Sequence, residues 1–217
     1  MGNFYVNHTV RAPQDRVAAL LEREGRTAFV GPTADGFTVV CDRACDDQDP
    51  AAITEVGGRL SAVLDGPVLA VLNHDDDVLC YWLFEKGQLV EEYNSCPDYF
   101  DDDEGGGFGI FSGDEEDDEP AAGGAIGDGA ELCRAFGRPD RYGRVRSILT
   151  ARQPLFALET HQALVSALGL PEGAVGSGYR YVAGGDAGLD RDACVHVGRL
   201  AGGRRGWAPE DDGEEDE

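Results

Sequence analysis

Lysine and long apolar runs are nearly absent from this sequence. Lys86 is the single lysine among 18 basic residues, which stand against 42 acidic residues and leave a formal net charge of −24. A chain this negative repels the phosphates of nucleic acids and of anionic lipids. No apolar stretch approaches the roughly 20 residues of a membrane-spanning helix, and the N-terminus lacks the pattern of a secretory signal. We therefore expect a cytoplasmic protein that binds neither nucleic acid nor membrane.

Common catalytic and cofactor motifs are absent as well. Gly107 and Gly109 do not continue into a dinucleotide-binding pattern, and no phosphate loop with its lysine is present. None of the four histidines lies in a Ser or Cys nucleophile motif. Cys41 and Cys45 have no second Cys or His pair at zinc spacing nearby. We therefore predict no cofactor, and free thiols for the six cysteines.

The negative charge is concentrated in two segments. Residues 98–119 carry eleven acids and residues 210–217 carry seven, in both cases without a base, and the rest of the chain carries only −6. Segments this polar bury too little apolar surface to offset their ordering entropy. We predict an acidic Gly-rich linker or loop over residues 98–128 and a disordered acidic tail over residues 184–217.

Apolar periodicity in the first hundred residues predicts a mixed sheet-and-helix domain over residues 1–97. Val6, His8 and Val10 alternate with polar neighbours, a period of two that is typical of a strand. Strands are predicted at 3–11, 27–30, 37–41, 68–72, 78–84 and 89–93, with helices after Pro13 and Asp49. The order of the first six elements matches the α+β, ferredoxin-like split β-α-β sheet. The last hairpin is expected to extend the edge of that sheet.

Beyond the first acidic segment, the pattern predicts a small helical C-terminal subdomain over residues 129–183. Apolar residues recur at helical spacing over 130–136, 140–152 and 154–168. Residues 179–182 read YRYV, and their aromatic and β-branched residues predict a short strand.

One predicted turn holds four side chains of metal-ligand type, His74, Asp75, Asp76 and Asp77. Hard cations prefer carboxylate oxygens, so the turn is a candidate cation site. Aspartate is also favoured by turn geometry, and the spacing is not that of a calcium loop. A solvated hairpin tip is the alternative interpretation.

Two further groups are candidates for binding. His8, with Tyr5 or Asn7 as its polar neighbour, would serve an enzyme that uses the open face of the sheet. A lone histidine on such a face is also typical of a hydrogen-bonded core residue. Arg138, Arg141 and Arg144 belong to residues 134–152, whose net charge is +5. This segment would bind the acidic segment of its own chain or an acidic ligand, or it is an ordinary solvated helix face.

Several segments of the chain carry a resemblance. They read MGNFYVN at residues 1–7, LNHDDD at 72–77, YNSCPDYF at 93–100 and ALGLP at 167–171. In these segments the chain resembles an uncharacterised family of small bacterial proteins, over roughly residues 1–100 and 130–183. The family has no known activity, so the resemblance implies no functional residue.

These observations favour a non-catalytic, acidic interaction protein, inhibitor- or immunity-like, that binds a basic protein. A negative surface accelerates encounter with a positive partner. Two alternatives stay open. One is an enzyme that works on the sheet face around His8, and the other is a weak divalent-cation binder that uses the turn at residues 74–77.

Overall fold

Eight strands and six helices make up the described part of the chain, residues 2–96, 125–151 and 156–198 of a computed structural model. The strands are β1 (Tyr5–Val10), β2 (Ala28–Val30), β3 (Thr38–Asp42), β4 (Val68–His74), β5 (Val78–Glu85), β6 (Gln88–Asn94), β7 (Ala125–Ile126) and β8 (Val195–Val197). The helices are α1 (Gln14–Arg23), α2 (Pro50–Leu64), α3 (Ala130–Ala135), α4 (Tyr142–Leu149), α5 (Ala157–Leu168) and α6 (Tyr179–Gly184).

The eight strands form one sheet in the order β7-β6-β5-β4-β1-β3-β2-β8. Neighbouring strands run antiparallel, except that β7 pairs parallel to β6. β5 and β6 continue the sheet beyond β4, on the side away from β1. The predicted mixed α+β class is confirmed.

One face of the sheet is covered by α1 and α2, which we call the first helical layer. α2 begins after Asp49, whose carboxylate accepts a backbone N–H of the first turn at 2.9 Å, and it ends at Asp65 in the left-handed conformation (φ 53°). Its buried stripe meets alternate residues of the central strands, among them Val6, Val10, Ala70, Leu72 and Trp82. The resulting core is apolar, and His8 is enclosed within it.

The opposite face is covered by α3, α4, α5 and α6, which we call the second helical layer. Their apolar side chains share one core with the other face of the strands, including Val39, Leu69, Val71, Leu79 and Leu83. The helices that the sequence predicts as a C-terminal subdomain therefore pack directly on the sheet. Both faces of the central strands are buried, which explains why every residue of β1 is inaccessible to solvent.

The strand registers define two ends of the sheet. Tyr5 pairs with Asn73, and Asn73 pairs with Leu79, so β1 begins, β4 ends and β5 begins at one end. β6 also ends there, because Asn94 pairs with Cys80. We call this the Tyr5 end, and we call the other the Val10 end.

The prediction of a strand at residues 179–182 is wrong. These residues form α6, in which Tyr179 and Val182 are buried one helical turn apart. The carboxylate of Asp46 accepts the N–H groups of Tyr179 and Arg180 at 3.1 and 3.0 Å. This contact joins residues more than 130 positions apart in sequence, so local periodicity could not indicate it.

The predicted boundaries of the linker and the tail are also corrected. β7 lies inside the range predicted as linker, and β8, which pairs with β2, lies inside the range predicted as disordered tail. Both acidic segments, residues 98–119 and 210–217, lie outside the described residues. Among the residues that are described, no helix has the length and apolarity needed to cross a membrane.

Candidate functional site

His8 lies on the sheet face under the first helical layer, with no access to solvent. Its Nε2 donates to the carbonyl oxygen of Ile53 in α2 at 3.0 Å. Burial lowers the pKa of the imidazole, which keeps it neutral. The expectation of an open sheet face beside His8 is therefore wrong, because α2 covers that face.

Tyr5 lies on the opposite face of the same strand, under the second helical layer. Its hydroxyl is 2.8 Å from Nδ1 of His161 in α5, and the two rings stack with centroids 5.8 Å apart. Burial raises the pKa of Tyr5 to about 12 and lowers that of His161 to about 4. Both groups are therefore neutral at physiological pH, and the hydrogen bond between them joins α5 to β1. Tyr5 and His8 face opposite sides of the sheet and form no common site.

The turn at residues 74–77 connects β4 and β5 as a tight hairpin. Asp75 and Asp76 have positive φ angles of 52° and 60°, and the N–H of Asp77 donates to the carbonyl of His74 at 3.0 Å. This is the geometry of a type I′ turn, in which Asp is well tolerated. The aspartates thus have a structural reason to be there.

The side chains of this turn point to different partners. The carboxylate of Asp76 accepts from the amides of Asn3 and Asn73 at 2.8 and 3.3 Å, whereas Asp75 and Asp77 are exposed. Nδ1 of His74 lies 2.6 Å from the amide oxygen of Gln48. Within the described ranges, no group of three or more His, Cys, Asp or Glu side chains is placed to hold a metal ion. The structure does not bring the four predicted ligands together.

The predicted arginines also separate into different surroundings. Nε of Arg138 donates to the carbonyl of Leu168 at the end of α5, at 3.2 Å. Arg141 forms an ion pair with Asp140 at 3.2 Å. Arg144 lines a cleft between α4 and α5. Arg138 and Arg141 thus bind groups of their own chain, whereas Arg144 lines a cleft.

Two exposed aromatic side chains, which sequence reasoning missed, stand beside the hairpin turn. Among the described residues, only Phe4, Phe156 and Val195 are large apolar side chains with substantial exposure, at 46 %, 64 % and 42 %. Phe4 packs edge-on against His74, with ring centroids 5.0 Å apart. Phe156 directly precedes Ala157, whose N–H donates to the carbonyl of Asp76 at 2.7 Å.

We call Phe4, Phe156, Asp75 and Asp77 the aromatic–acidic surface. Its elements are held by specific contacts, since the N–H of Phe4 donates to the hydroxyl of Tyr181 at 3.0 Å and the carbonyl of Asp76 accepts from α5. The start of β1, the hairpin and the start of α5 are therefore fixed relative to one another. The period-two pattern places Phe4 with the buried residues of β1, so no local pattern indicates its exposure.

A cleft adjoins Phe4. It has a volume of about 230 Å³ and is lined by Phe4, Asp46, Arg180 and Tyr181. Arg180 forms ion pairs with Asp46 and Asp47 at 3.2 and 2.9 Å. Burial raises the pKa of Asp46 against the effect of this arginine. The aromatic–acidic surface therefore continues into a further charged region at the same end of the sheet.

The cysteines and His196 are explained by their packing and hydrogen bonds. All six cysteines are free thiols. Burial raises the pKa of the Cys80 thiol to about 12 and raises those of Cys41 and Cys45 as well, so these three stay protonated at neutral pH. Nε2 of His196 lies 3.1 Å from the hydroxyl of Tyr179, and the centroids of the two rings are 6.0 Å apart.

Comparison of the chain with protein-family models, with curated proteins and with solved structures finds no match. The resemblance to a family of small bacterial proteins therefore stays a prediction.

Proposed function

We propose that this protein is a non-catalytic, cytoplasmic interaction protein, inhibitor- or immunity-like, whose aromatic–acidic surface binds a basic partner protein. The observation that carries the proposal is the position of Phe4 and Phe156. The two most exposed large apolar side chains of the described residues flank one acidic turn.

This combination suits protein recognition for two physical reasons. Exposed aromatic rings lose much apolar surface to a partner, and such residues dominate the binding energy of many interfaces. Asp75 and Asp77 beside them place negative charge at the rim, which accelerates association with a positive partner and favours it over a neutral one.

The distribution of charge along the chain supports a basic partner. β6 ends at Asn94, at the Tyr5 end of the sheet, and the eleven acids of residues 98–119 follow in sequence. The hairpin aspartates lie at the same end. The exposed hairpin aspartates therefore supply negative charge on the side of the molecule that carries the exposed rings, and the acidic segment adds to the net negative charge of the chain.

We also assign the first six elements to the ferredoxin-like arrangement. The assignment is supported by the order β4-β1-β3-β2 and by the two helices that share one face of these strands.

The aromatic part of the proposal is tested by retention of lysate proteins on the immobilised full-length chain. We expect basic proteins retained by the wild type to be lost with the double substitution Phe4→Ser and Phe156→Ser. Val195→Ser is the matched control, because Val195 is the third large exposed apolar side chain in the described ranges and lies on the edge strand β8. Equal retention by the wild type and the Phe4/Phe156 variant would contradict the proposal.

The acidic part is tested with charge-neutral amides. Asp75→Asn with Asp77→Asn is expected to reduce retention at low salt and to weaken its dependence on added salt. Asp35→Asn with Asp65→Asn is the matched control, since it removes the same charge from two exposed turns at the Val10 end. A similar effect of both pairs would indicate a response to net charge alone, not recognition at this surface.

A further inference from the structure

A cleft of about 400 Å³ lies between α4, α5 and the short 3-10 helix Glu172–Ala174. Its volume is within the range of small-molecule sites in proteins, roughly 300–1,000 Å³. It is lined by Arg144, Glu159, Gln162, Ala163, Val165, Ser166, Glu172 and Val175. The cleft shares no residue with the aromatic–acidic surface.

The α5 wall of this cleft follows from helical periodicity. Glu159, Gln162, Ala163 and Ser166 are spaced by three and four residues, so they form a single stripe along the helix. Val165 lines the cleft from the buried side of the same helix. The wall therefore offers a carboxylate, an amide and a hydroxyl group next to an apolar floor.

Charges of opposite sign line the cleft without neutralising one another. Arg144 projects from α4, whereas Glu159 and Glu172 belong to α5 and the 3-10 helix. Among the residues that the structure describes, Arg144 has no carboxylate oxygen within 4.0 Å, although other arginines of the same segment pair closely with acids. A guanidinium and two carboxylates thus remain available around one cavity.

We infer that this cleft binds a small zwitterion, a molecule that carries a carboxylate and an ammonium group on a short aliphatic frame. The guanidinium of Arg144 is suited to bidentate contact with a carboxylate. Glu159 and Glu172 accept hydrogen bonds from an ammonium, and Gln162 and Ser166 supply further polar contacts. Val165 and Val175 contact the aliphatic part. Free α-amino acids have this chemistry.

A ligand with only one charge leaves part of the site without a partner. A simple carboxylic acid meets Arg144 but places no cation against Glu159 and Glu172. A simple amine has the opposite defect. Both analogues are therefore expected to bind at least tenfold more weakly than the parent amino acid.

The experiment is calorimetric titration of the full-length protein with each of the common L-amino acids, at concentrations up to about 10 mM. We expect at least one with an aliphatic side chain to bind with a dissociation constant of about 1 mM or tighter. Arg144→Gln and Glu159→Gln should each weaken that binding at least tenfold. Arg146→Gln, on the same helix α4, and Glu22→Gln, on α1, are matched controls that should leave it unchanged.

Three outcomes overturn the inference. The first is that no amino acid binds in this concentration range. The second is that binding survives Arg144→Gln, and the third is that the deaminated or decarboxylated analogue binds as well as the parent. The double substitution Phe4→Ser and Phe156→Ser, tested in parallel, should leave amino-acid binding intact. The titration therefore tests the cleft independently of the proposed protein-binding surface.

Discussion

The two helical layers are attached to the sheet in different ways. α1 and α2 are joined by short loops to the strands that precede and follow them in sequence, and they contact the sheet mainly through apolar stripes. The second layer follows residues 97–124 in sequence. Its helices and loops meet the sheet at polar contacts between distant residues, including the pairs Tyr5–His161, Asn7–Ser177, Tyr93–Leu149 and Asp46–Tyr179.

This difference indicates that apolar stripes orient the first helical layer, whereas buried hydrogen bonds specify the position of the second. A helix that connects two strands of one sheet through short loops has few places to dock, and an apolar stripe is enough to orient it. A helix reached after a long connection has more alternatives. Buried hydrogen bonds reject wrong placements, because a misplaced helix leaves the polar groups of the sheet without partners. The polar residues of the second layer therefore specify its position.

Asn7→Ala tests this explanation with the largest expected effect. The fully buried amide of Asn7 donates to the carbonyls of Ala174 and Ser177 at 2.7 and 2.8 Å. Its loss leaves two buried acceptors unpaired and creates a cavity, so we expect the free energy of unfolding to fall by about 4 kcal/mol. Urea denaturation measures the change.

A half-buried asparagine provides the control for Asn7. Asn3→Ala removes a bond to the carboxylate of Asp76 and should cost about 1 kcal/mol or less. If Asn7→Ala costs no more than Asn3→Ala, polar contacts do not fix the second layer.

The pH dependence of stability reports on the buried histidine of the second helical layer. The pKa of His161 is lowered to about 4 in the folded state, whereas a histidine in the unfolded chain titrates near 6.5. Between these values the unfolded state binds the extra proton, so stability is lost as pH falls from about 6.5 to about 4. The loss over this window is about 3 kcal/mol.

His161→Asn isolates this contribution, since asparagine keeps an acceptor for Tyr5 but does not titrate. We expect the stability of the variant to fall less steeply than that of the wild type over the same window, measured by urea denaturation at several pH values. His8, whose pKa is also lowered, is present in both proteins and cancels in the difference. Parallel pH profiles would rule out a neutral, buried His161.

A substitution in the first layer should have a smaller and local effect. Asp49→Ala removes the cap of α2 and is expected to lower the free energy of unfolding by about 1 kcal/mol. Asp49→Asn retains a capping oxygen and should be nearly neutral. If both substitutions destabilise equally, the carboxylate acts through its charge and not as a cap.

The smallest effect is expected at the aromatic–acidic surface. Asp75→Asn with Asp77→Asn should change the free energy of unfolding by less than about 0.5 kcal/mol, because both side chains are exposed and asparagine suits the turn. The melting temperature measures this. A large loss would show that the surface serves the fold, which would weaken the case for a binding role.

The sequence predicted the first layer better than the second. The strands and helices of residues 1–97 follow local periodicity and caps such as Asp49, which is why α1, α2 and β1–β6 were predictable. α6 was predicted as a strand, because its helical start depends on the carboxylate of Asp46 far away in sequence. β8 lies in the range predicted as a disordered tail. A strand of three residues is too short to show a periodic pattern, and it forms only by pairing with β2 in the folded sheet.

In the candidate site, too, some features follow from the sequence and others depend on tertiary packing. The aspartates of the turn at 74–77 were recognisable, and so was their suitability for a hairpin. Their proximity to Phe4 and Phe156 was not, because the exposure of a ring depends on which elements cover it. Arg144 was selected for its charge, but the acids that face it, Glu159 and Glu172, belong to elements placed by tertiary packing.

The mixed α+β class, the acidity of two segments and most elements of the first hundred residues follow from the sequence alone. These properties depend on composition, on spacing within a few residues and on local caps. The tertiary structure decided which sheet faces are covered, which histidines are buried, which rings remain exposed and which charges share a cleft. Each of these depends on residues separated by tens to more than a hundred positions, whose contacts form only when both helical layers pack on one sheet.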